Sequence, residues 1–232
     1  MVFMDQSLVH PEVRVFVSVW LNGILPVAAG AALAALTWPL ARRQAFVLGA
    51  DPDSIPHETG FQPRRGFCVL LGSALGGLCV NFFAPGVQMW AALMLGLILF
   101  VLAWIDLDTR LLPNFLTIPL WMAGLLFSVL DVFASPLQAV LGSAAAWFIF
   151  WLAGALYRLL HGRTGLGGGD IKLAAALGAW LGWPQVPSLL LLTATLSLAS
   201  WGLMAACGRT SRMQPLGPSL ALGGLLVLLM SA

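Results

Sequence analysis

The chain has 232 residues, of which 60% are apolar and only 9% are charged, and its formal net charge is +2. Soluble globular domains are about one quarter charged, so this composition excludes an ordinary soluble domain and indicates a membrane protein. No dense basic stripe accompanies the small positive charge, and we therefore expect no nucleic-acid partner.

Apolar stretches close to the ~20 residues that a helix needs to cross a bilayer recur along the chain. They lack the alternation of a membrane barrel, so helices are the expected spanning form. The pattern predicts an all-α, polytopic protein with a single membrane domain over residues 1–232. The eight predicted spans are 15–38, 66–84, 87–105, 115–133, 136–160, 170–183, 185–206 and 216–231. The sixth is short for a full crossing, so seven spans is the alternative count.

The first span shows no signal-peptide cleavage site and is expected to be retained. Residues 39–65 form the one sizeable polar segment, which has turn signals and is predicted to be a cytoplasmic loop. In the eight-span arrangement only Arg14, among the eleven basic residues, falls on the opposite side from the others. Because Lys and Arg collect in cytoplasmic loops, the basic side is predicted to be cytoplasmic and both termini to face outward.

Two acidic positions at predicted span boundaries are candidates for chemistry, since charged groups near lipid are costly. Asp106 ends the third span, with Asp108 beside it, and Asp170 starts the sixth. Both boundaries are cytoplasmic, so the two carboxyl groups can meet. Two carboxylates that share a site hold one proton between them, which is the arrangement of an aspartic protease.

In such a pair the ionised acid activates water, and the protonated acid polarises the scissile carbonyl. Asp170 lies at a predicted helix N-terminus, whose dipole favours the ionised form and so favours Asp170 as the base. Before it stand Gly167, Gly168 and Gly169. Without side chains, these glycines permit unusual backbone angles and the close approach of an extended peptide.

Simpler interpretations exist for these residues. A Gly-rich turn with one Asp is often only a loop with a helix cap, and Asp108 and Arg110 can be solvated or paired at a helix end. Lys172 can be a lysine that snorkels to the interface. Interface anchoring is also the expected role of Trp104, Trp121, Trp180 and Trp183. The cysteines Cys68, Cys79 and Cys207 lack metal-ligand spacing and are expected to be buried apolar residues.

The motifs around the two acids resemble those of a known family. The stretch from Asp106 through Pro113-Asn114 to Trp121 resembles the first catalytic motif of the bacterial type IV prepilin peptidases. Residues 165–183 resemble their second motif, the Gly-x-Gly-Asp signature, and Leu216-Gly217-Pro218 resembles the start of their last helix. The resemblance covers about residues 90–232.

This resemblance implies that Asp106 and Asp170 are the catalytic pair of a Gly-x-Gly-Asp membrane aspartyl protease. It also implies residues that support the site or contact substrate: Asp108, Pro113, Gly167, Gly168, Gly169 and Lys172. The implied substrates are type IV prepilins or type II secretion pseudopilins, which carry a basic leader and a hydrophobic helix in the lipid bilayer. They would be cut on the cytoplasmic side of the bacterial inner membrane.

The N-terminal third departs from the family. Many relatives have a cytoplasmic loop with two Cys-x-x-Cys pairs that can bind zinc, whereas residues 39–65 contain no cysteine, so we expect no metal. Full-length relatives also methylate the new N-terminus with S-adenosylmethionine. Residues 30–34 and 65–71 lack the Asn and the acid that relatives place there. We predict peptidase activity, for which no cofactor is needed, and doubt methylation; S-adenosylmethionine is required only if methylation is retained.

Three alternatives remain open. A proton-coupled transporter also uses paired intramembrane acids, but it would place them near the midplane of repeated helices. A catalytically inactive scaffold of a secretion machine would retain the fold without cleavage. Among proteases, the chain could instead be a shorter relative that serves tight-adherence pili or archaeal preflagellins, which differ in leader preference.

Overall fold

The computed structural model describes residues 86–110, 112–162, 165–206 and 216–231, together with isolated positions at 28, 74, 77–79 and 81–83. Within these residues the regular structure is entirely helical, without strands. The α-helices are α1 (Val87–Thr109), α2 (Asn114–Val129), α3 (Pro136–His161), α4 (Gly168–Leu181), α5 (Val186–Ala206) and α6 (Gly217–Met230). A short 3₁₀ turn, Trp183–Gln185, joins α4 to α5. The all-helical prediction is confirmed for this part of the chain.

Three of the described helical segments are long and apolar enough to cross a membrane: Val87–Leu107, Pro136–His161 and Trp183–Ala206. Helices α2 and α6 are apolar but shorter. Helix α4 has 14 residues, a length of roughly 21 Å against a hydrocarbon core of about 30 Å. Six predicted spans coincide with described helices to within a few residues. The loop at 39–65 lies outside the described residues, and so do the spans at 15–38 and 66–84 except for the isolated positions, so the count of eight stays a prediction.

The helix ends follow local sequence signals. Helix α3 begins with Pro136 directly after Ser135, whose backbone N–H donates to the side-chain oxygen of Gln138 at 3.2 Å. It ends at Gly162, which has φ 66°, a left-handed conformation that glycine adopts without steric cost. Helix α1 ends at Arg110, also left-handed, whose N–H donates to the backbone oxygen of Asp106 at 2.9 Å.

Helix α4 lies at the centre of the described bundle, where it packs against α2, α3 and α6. Every residue from Leu173 to Leu181 is buried. Helices α3 and α4 approach so closely that a Cβ on Gly142 would meet the carbonyl oxygen of Gly178. This contact between backbones fixes the position of α4 against α3.

Trp180 is a core residue, and its expected role as an interface anchor is therefore wrong. Its side chain is 1% exposed, and its indole N–H donates to the carbonyl oxygen of Leu120 on α2 at 2.8 Å. The rings of Phe127 and Phe133 lie against it, with centroids at 5.3 and 6.0 Å. Burial with a satisfied N–H is favourable inside a bundle, so Trp180 locks α4 to α2. Cys79 is buried, as predicted.

Candidate active site

Asp106 lies in the last turn of α1 and is almost fully buried, with 4% of its surface exposed. Its carboxyl oxygen Oδ2 accepts a hydrogen bond of 2.9 Å from the backbone N–H of Gly217, at the start of α6. The positive charge of Arg110, one turn further along, lies within electrostatic range of the carboxyl group. Asp106 is thus a buried acid whose carboxyl group is held by a main-chain donor.

Asp170 is the third residue of α4 and is partly buried. Its carboxyl group lies beside Gly167, the residue that caps this helix: a Cβ on Gly167 would lie 3.1 Å from Oδ2 of Asp170. The charge of Asp106 acts on Asp170, so the fold brings within electrostatic range two acids that belong to distant parts of the sequence. Asp170 lies in the first turn of α4, as predicted, and its assignment as the base stays a prediction.

The glycines before Asp170 do not adopt unusual backbone angles, so that part of the prediction is wrong, and Gly169 is required for space. Gly167 is extended, with φ −73° and ψ 142°, and Gly168 and Gly169 are the first residues of α4. A Cβ on Gly169 would lie 2.7 Å from the Cβ of Leu112. A Cβ on Gly168 would meet nothing within 4 Å. The glycine run thus lets the start of α4 pack against the connection between α1 and α2.

Pro113 and Lys172, two of the predicted supporting residues, lie where the start of α4 meets the start of α2. Pro113 is buried and caps α2, where its carbonyl oxygen accepts the N–H groups of Leu116 and Thr117 at 3.1 and 3.2 Å. The ammonium group of Lys172 donates to the side-chain oxygen of Asn114 at 2.8 Å. Lys172 therefore ties the start of α4 to the start of α2. Asp108 lies in α1, and its side chain is outside the part of the chain that the structure describes.

Gly217 lies at the site but was not among the predicted site residues, although it belongs to one of the sequence motifs. Glycine has no side chain, so a search for acidic and basic side chains does not find it. The available signal was the Gly-Pro pair at the start of a helix, where free N–H groups bind anions.

Among the described residues, no group of three or more His, Cys, Asp or Glu could hold a metal ion. A pair of neighbouring carboxyl groups, one buried and one partly buried, can hold a single shared proton. One acid can then accept a proton from water while the other donates one, which is general acid–base catalysis.

The part of the sequence that carries both acids is similar to a known protein family. The model of the type IV leader peptidase family matches residues 93–203, a region that contains both Asp106 and Asp170. Residues 93–203 therefore belong to the type IV leader peptidase family. Gly217 lies beyond the matched region, within the larger stretch over which the sequence motifs resemble the family.

Relatives in this family are similar over much of the chain. A prepilin leader peptidase/N-methyltransferase from Dickeya chrysanthemi is 42% identical over 163 residues, 69% of this chain and 56% of the relative. The protein of the same name from Aeromonas salmonicida is 40% identical over 175 residues, 74% of this chain and 60% of the relative. That from Klebsiella pneumoniae is 45% identical over 130 residues, 56% of this chain and 57% of the relative.

The chain therefore spans little more than half the length of the type IV leader peptidase relatives that it matches. No solved structure gives a significant match to the chain. The similarity to bacterial leader peptidases, together with three helices among the described residues that are long and apolar enough to cross a bilayer, indicates a bacterial membrane protein.

Proposed function

We propose that this chain is a membrane aspartyl endopeptidase that removes the basic leader peptide from type IV prepilins or type II secretion pseudopilins. Cleavage takes place at the cytoplasmic boundary of the bacterial inner membrane. The observation that carries the proposal is the approach of Asp106 and Asp170, from two distant motifs, to within electrostatic range of each other. The family membership of residues 93–203 supports the same reaction class.

In the proposed mechanism the two acids share one proton. The ionised acid removes a proton from a water molecule as the water oxygen attacks the scissile carbonyl carbon, and the protonated acid hydrogen-bonds the carbonyl oxygen. When the C–N bond breaks, a proton passes to the leaving amine. The products are a free carboxylate on the leader and a free amine on the mature pilin. The reaction needs no covalent enzyme intermediate and no cofactor.

The position of the acids suits a substrate that changes polarity at its cleavage site. Asp106 ends a long apolar helix, and Asp170 begins the central helix α4. A basic leader remains in the water at the cytoplasmic surface, whereas the hydrophobic helix that follows it lies in lipid. An acid pair at the boundary between these environments is placed to cut between the two parts of the substrate.

A cleavage assay with the membrane-embedded chain and a purified prepilin tests this proposal. Asp106→Asn and Asp170→Asn are each expected to lower the cleavage rate by at least about 100-fold, because each removes one partner of acid–base catalysis. Asp131→Asn is a matched control: Asp131 is exposed in the turn between α2 and α3, and its φ of 48° suits asparagine. A prepilin processed at the control rate by either site variant would refute the proposal.

A further inference from the structure

We propose that Gly217 is a positioning residue for Asp106: its backbone N–H orients the carboxyl group, and its missing side chain leaves the space that the carboxyl group occupies. This inference rests on the proposed function, since it assigns a role in the same reaction. Gly217 belongs to α6 and lies outside the matched family region. It is a positioning residue because it acts through Asp106.

Gly217 and Asp106 are joined by a hydrogen bond. The N–H of Gly217 and the oxygen Oδ2 of Asp106 are 2.9 Å apart, and both residues are buried. The first N–H groups of a helix have no partner within the helix. A buried N–H without a partner is unfavourable, so the contact satisfies α6 and orients Asp106 at the same time.

The space next to the Cα of Gly217 is filled by the side chain of Asp106. A Cβ on Gly217 would lie 2.6 Å from Oδ2, 2.8 Å from Cγ and 2.9 Å from Cβ of Asp106. These distances are shorter than van der Waals contact, so any side chain at this position forces the carboxyl group or α6 to move. Gly217 does not have a positive φ. The requirement for glycine is therefore one of space at the acid.

The start of α6 is built to leave this donor available. Pro218 follows Gly217 and brings no N–H of its own, and the N–H of Leu220 is used by the carbonyl oxygen of Leu216 at 3.0 Å. Helix α6 also packs against both acid-bearing helices, α1 and α4. Docking of α6 thus sets the orientation of Asp106 relative to α4.

The chain offers a matched control on the same helix. A Cβ on Gly224 would lie 2.6 Å from Cδ2 of Leu177, which is comparable crowding. There the neighbour is the flexible end of an aliphatic side chain, not a carboxyl group. Gly224→Ala therefore tests how α6 tolerates a new methyl group, whereas Gly217→Ala tests the contact with Asp106. Gly202→Ala in α5, where nothing lies within 4 Å, is the neutral control.

The experiment measures kcat and KM for prepilin cleavage by the full chain and the three glycine variants. Gly217→Ala is expected to lower kcat by roughly 100-fold, as a catalytic group displaced by about 1 Å can do. Its KM should stay within about twofold of the unmodified value, because the contact that is lost is made to the catalytic carboxyl group and not to the substrate. Gly224→Ala and Gly202→Ala should cleave at the unmodified rate. A kcat for Gly217→Ala equal to that of Gly224→Ala would overturn the inference.

A second measurement needs no active variant at position 217. In the ¹⁵N-labelled chain, the amide signal of Gly217, assigned through the signals of its neighbours along the backbone, should move in Asp106→Asn while that of Gly224 does not. An unmoved Gly217 signal overturns the inference even if Gly217→Ala fails to fold. Failure of the proposed function looks different: the unmodified chain would then cleave no prepilin, whatever the state of Gly217.

Discussion

The ammonium group of Lys172 donates a hydrogen bond of 2.8 Å to the side-chain oxygen of Asn114 and so joins the start of α4 to the first residue of α2. Lys172 stands two residues after Asp170, and Asn114 follows Pro113 in the first motif. The two motifs are therefore linked by a side-chain contact in addition to the proximity of their acids. This contact gives Lys172 a defined place in the site beyond anchoring at the interface.

Loss of this contact is expected to have a moderate effect on cleavage. Lys172→Met and Asn114→Ala should each lower kcat/KM by up to about fivefold, since an exposed hydrogen bond to a charged group contributes about 1 kcal/mol or less. The double variant should be no worse than either single variant, because both remove the same interaction. Arg158→Met, which neutralises an exposed cation at the end of α3, is the control. Additive losses in the double variant would contradict a direct contact.

Neighbouring glycines at the start of α4 should respond differently to alanine. Gly169→Ala is expected to lower the free energy of unfolding by about 1–3 kcal/mol, because the new Cβ meets Leu112 in an already filled space. Gly168→Ala, which points into open space, should leave stability unchanged or slightly higher. Thermal unfolding in detergent compares the two variants. Equal melting temperatures would show that α4 does not pack against Leu112 as described.

The indole of Trp180 provides a prediction about the core. Trp180→Phe keeps an aromatic ring beside Phe127 but removes the N–H that binds the carbonyl oxygen of Leu120. The expected cost is about 1–2 kcal/mol of unfolding free energy. Trp183→Phe is the matched control, since Trp183 is 54% exposed. A melting temperature as high for Trp180→Phe as for this control would contradict the buried hydrogen bond.

Methylation of the cleaved product is a separate question, because the named relatives are leader peptidases and N-methyltransferases, and the matches cover little more than half of them. We predict cleavage without methylation. Mass spectrometry of a substrate processed in the presence of S-adenosylmethionine should show the bare cleaved chain. A product heavier by one methyl group would disprove this prediction, and the Asp variants would then show whether the two activities are independent.

Helix positions could be predicted from the sequence because apolar runs end at residues with strong local preferences. Helix α3 was expected at 136–160 and occupies Pro136–His161, where Pro136 opens it and Gly162 closes it. Helix α2 was expected to reach residue 133 but ends at Val129. The following turn contains Asp131 in a left-handed conformation, and its neighbours are apolar, so hydropathy alone could not locate the end.

The contacts of the site could be predicted only in part. The two acids were paired from their shared depth at the membrane boundary, and their electrostatic coupling agrees with that pairing. The roles of Trp180 and Gly217 could not be predicted, because hydropathy does not distinguish a side chain that faces lipid from one that faces protein. Nor does the sequence reveal which main-chain N–H points at a carboxyl group.

The carboxyl group of Asp106 accepts a hydrogen bond from the backbone amide of Gly217. Scanning mutagenesis deletes side chains and leaves this donor in place, so a survey of that kind would attribute any loss of activity at Gly217 to bulk alone. Replacement of a single amide by an ester, through chemical synthesis or an α-hydroxy acid, removes the donor without adding an atom to the side chain. The orientation of Asp106 therefore depends on a position, Gly217, at which the chain contributes only its backbone.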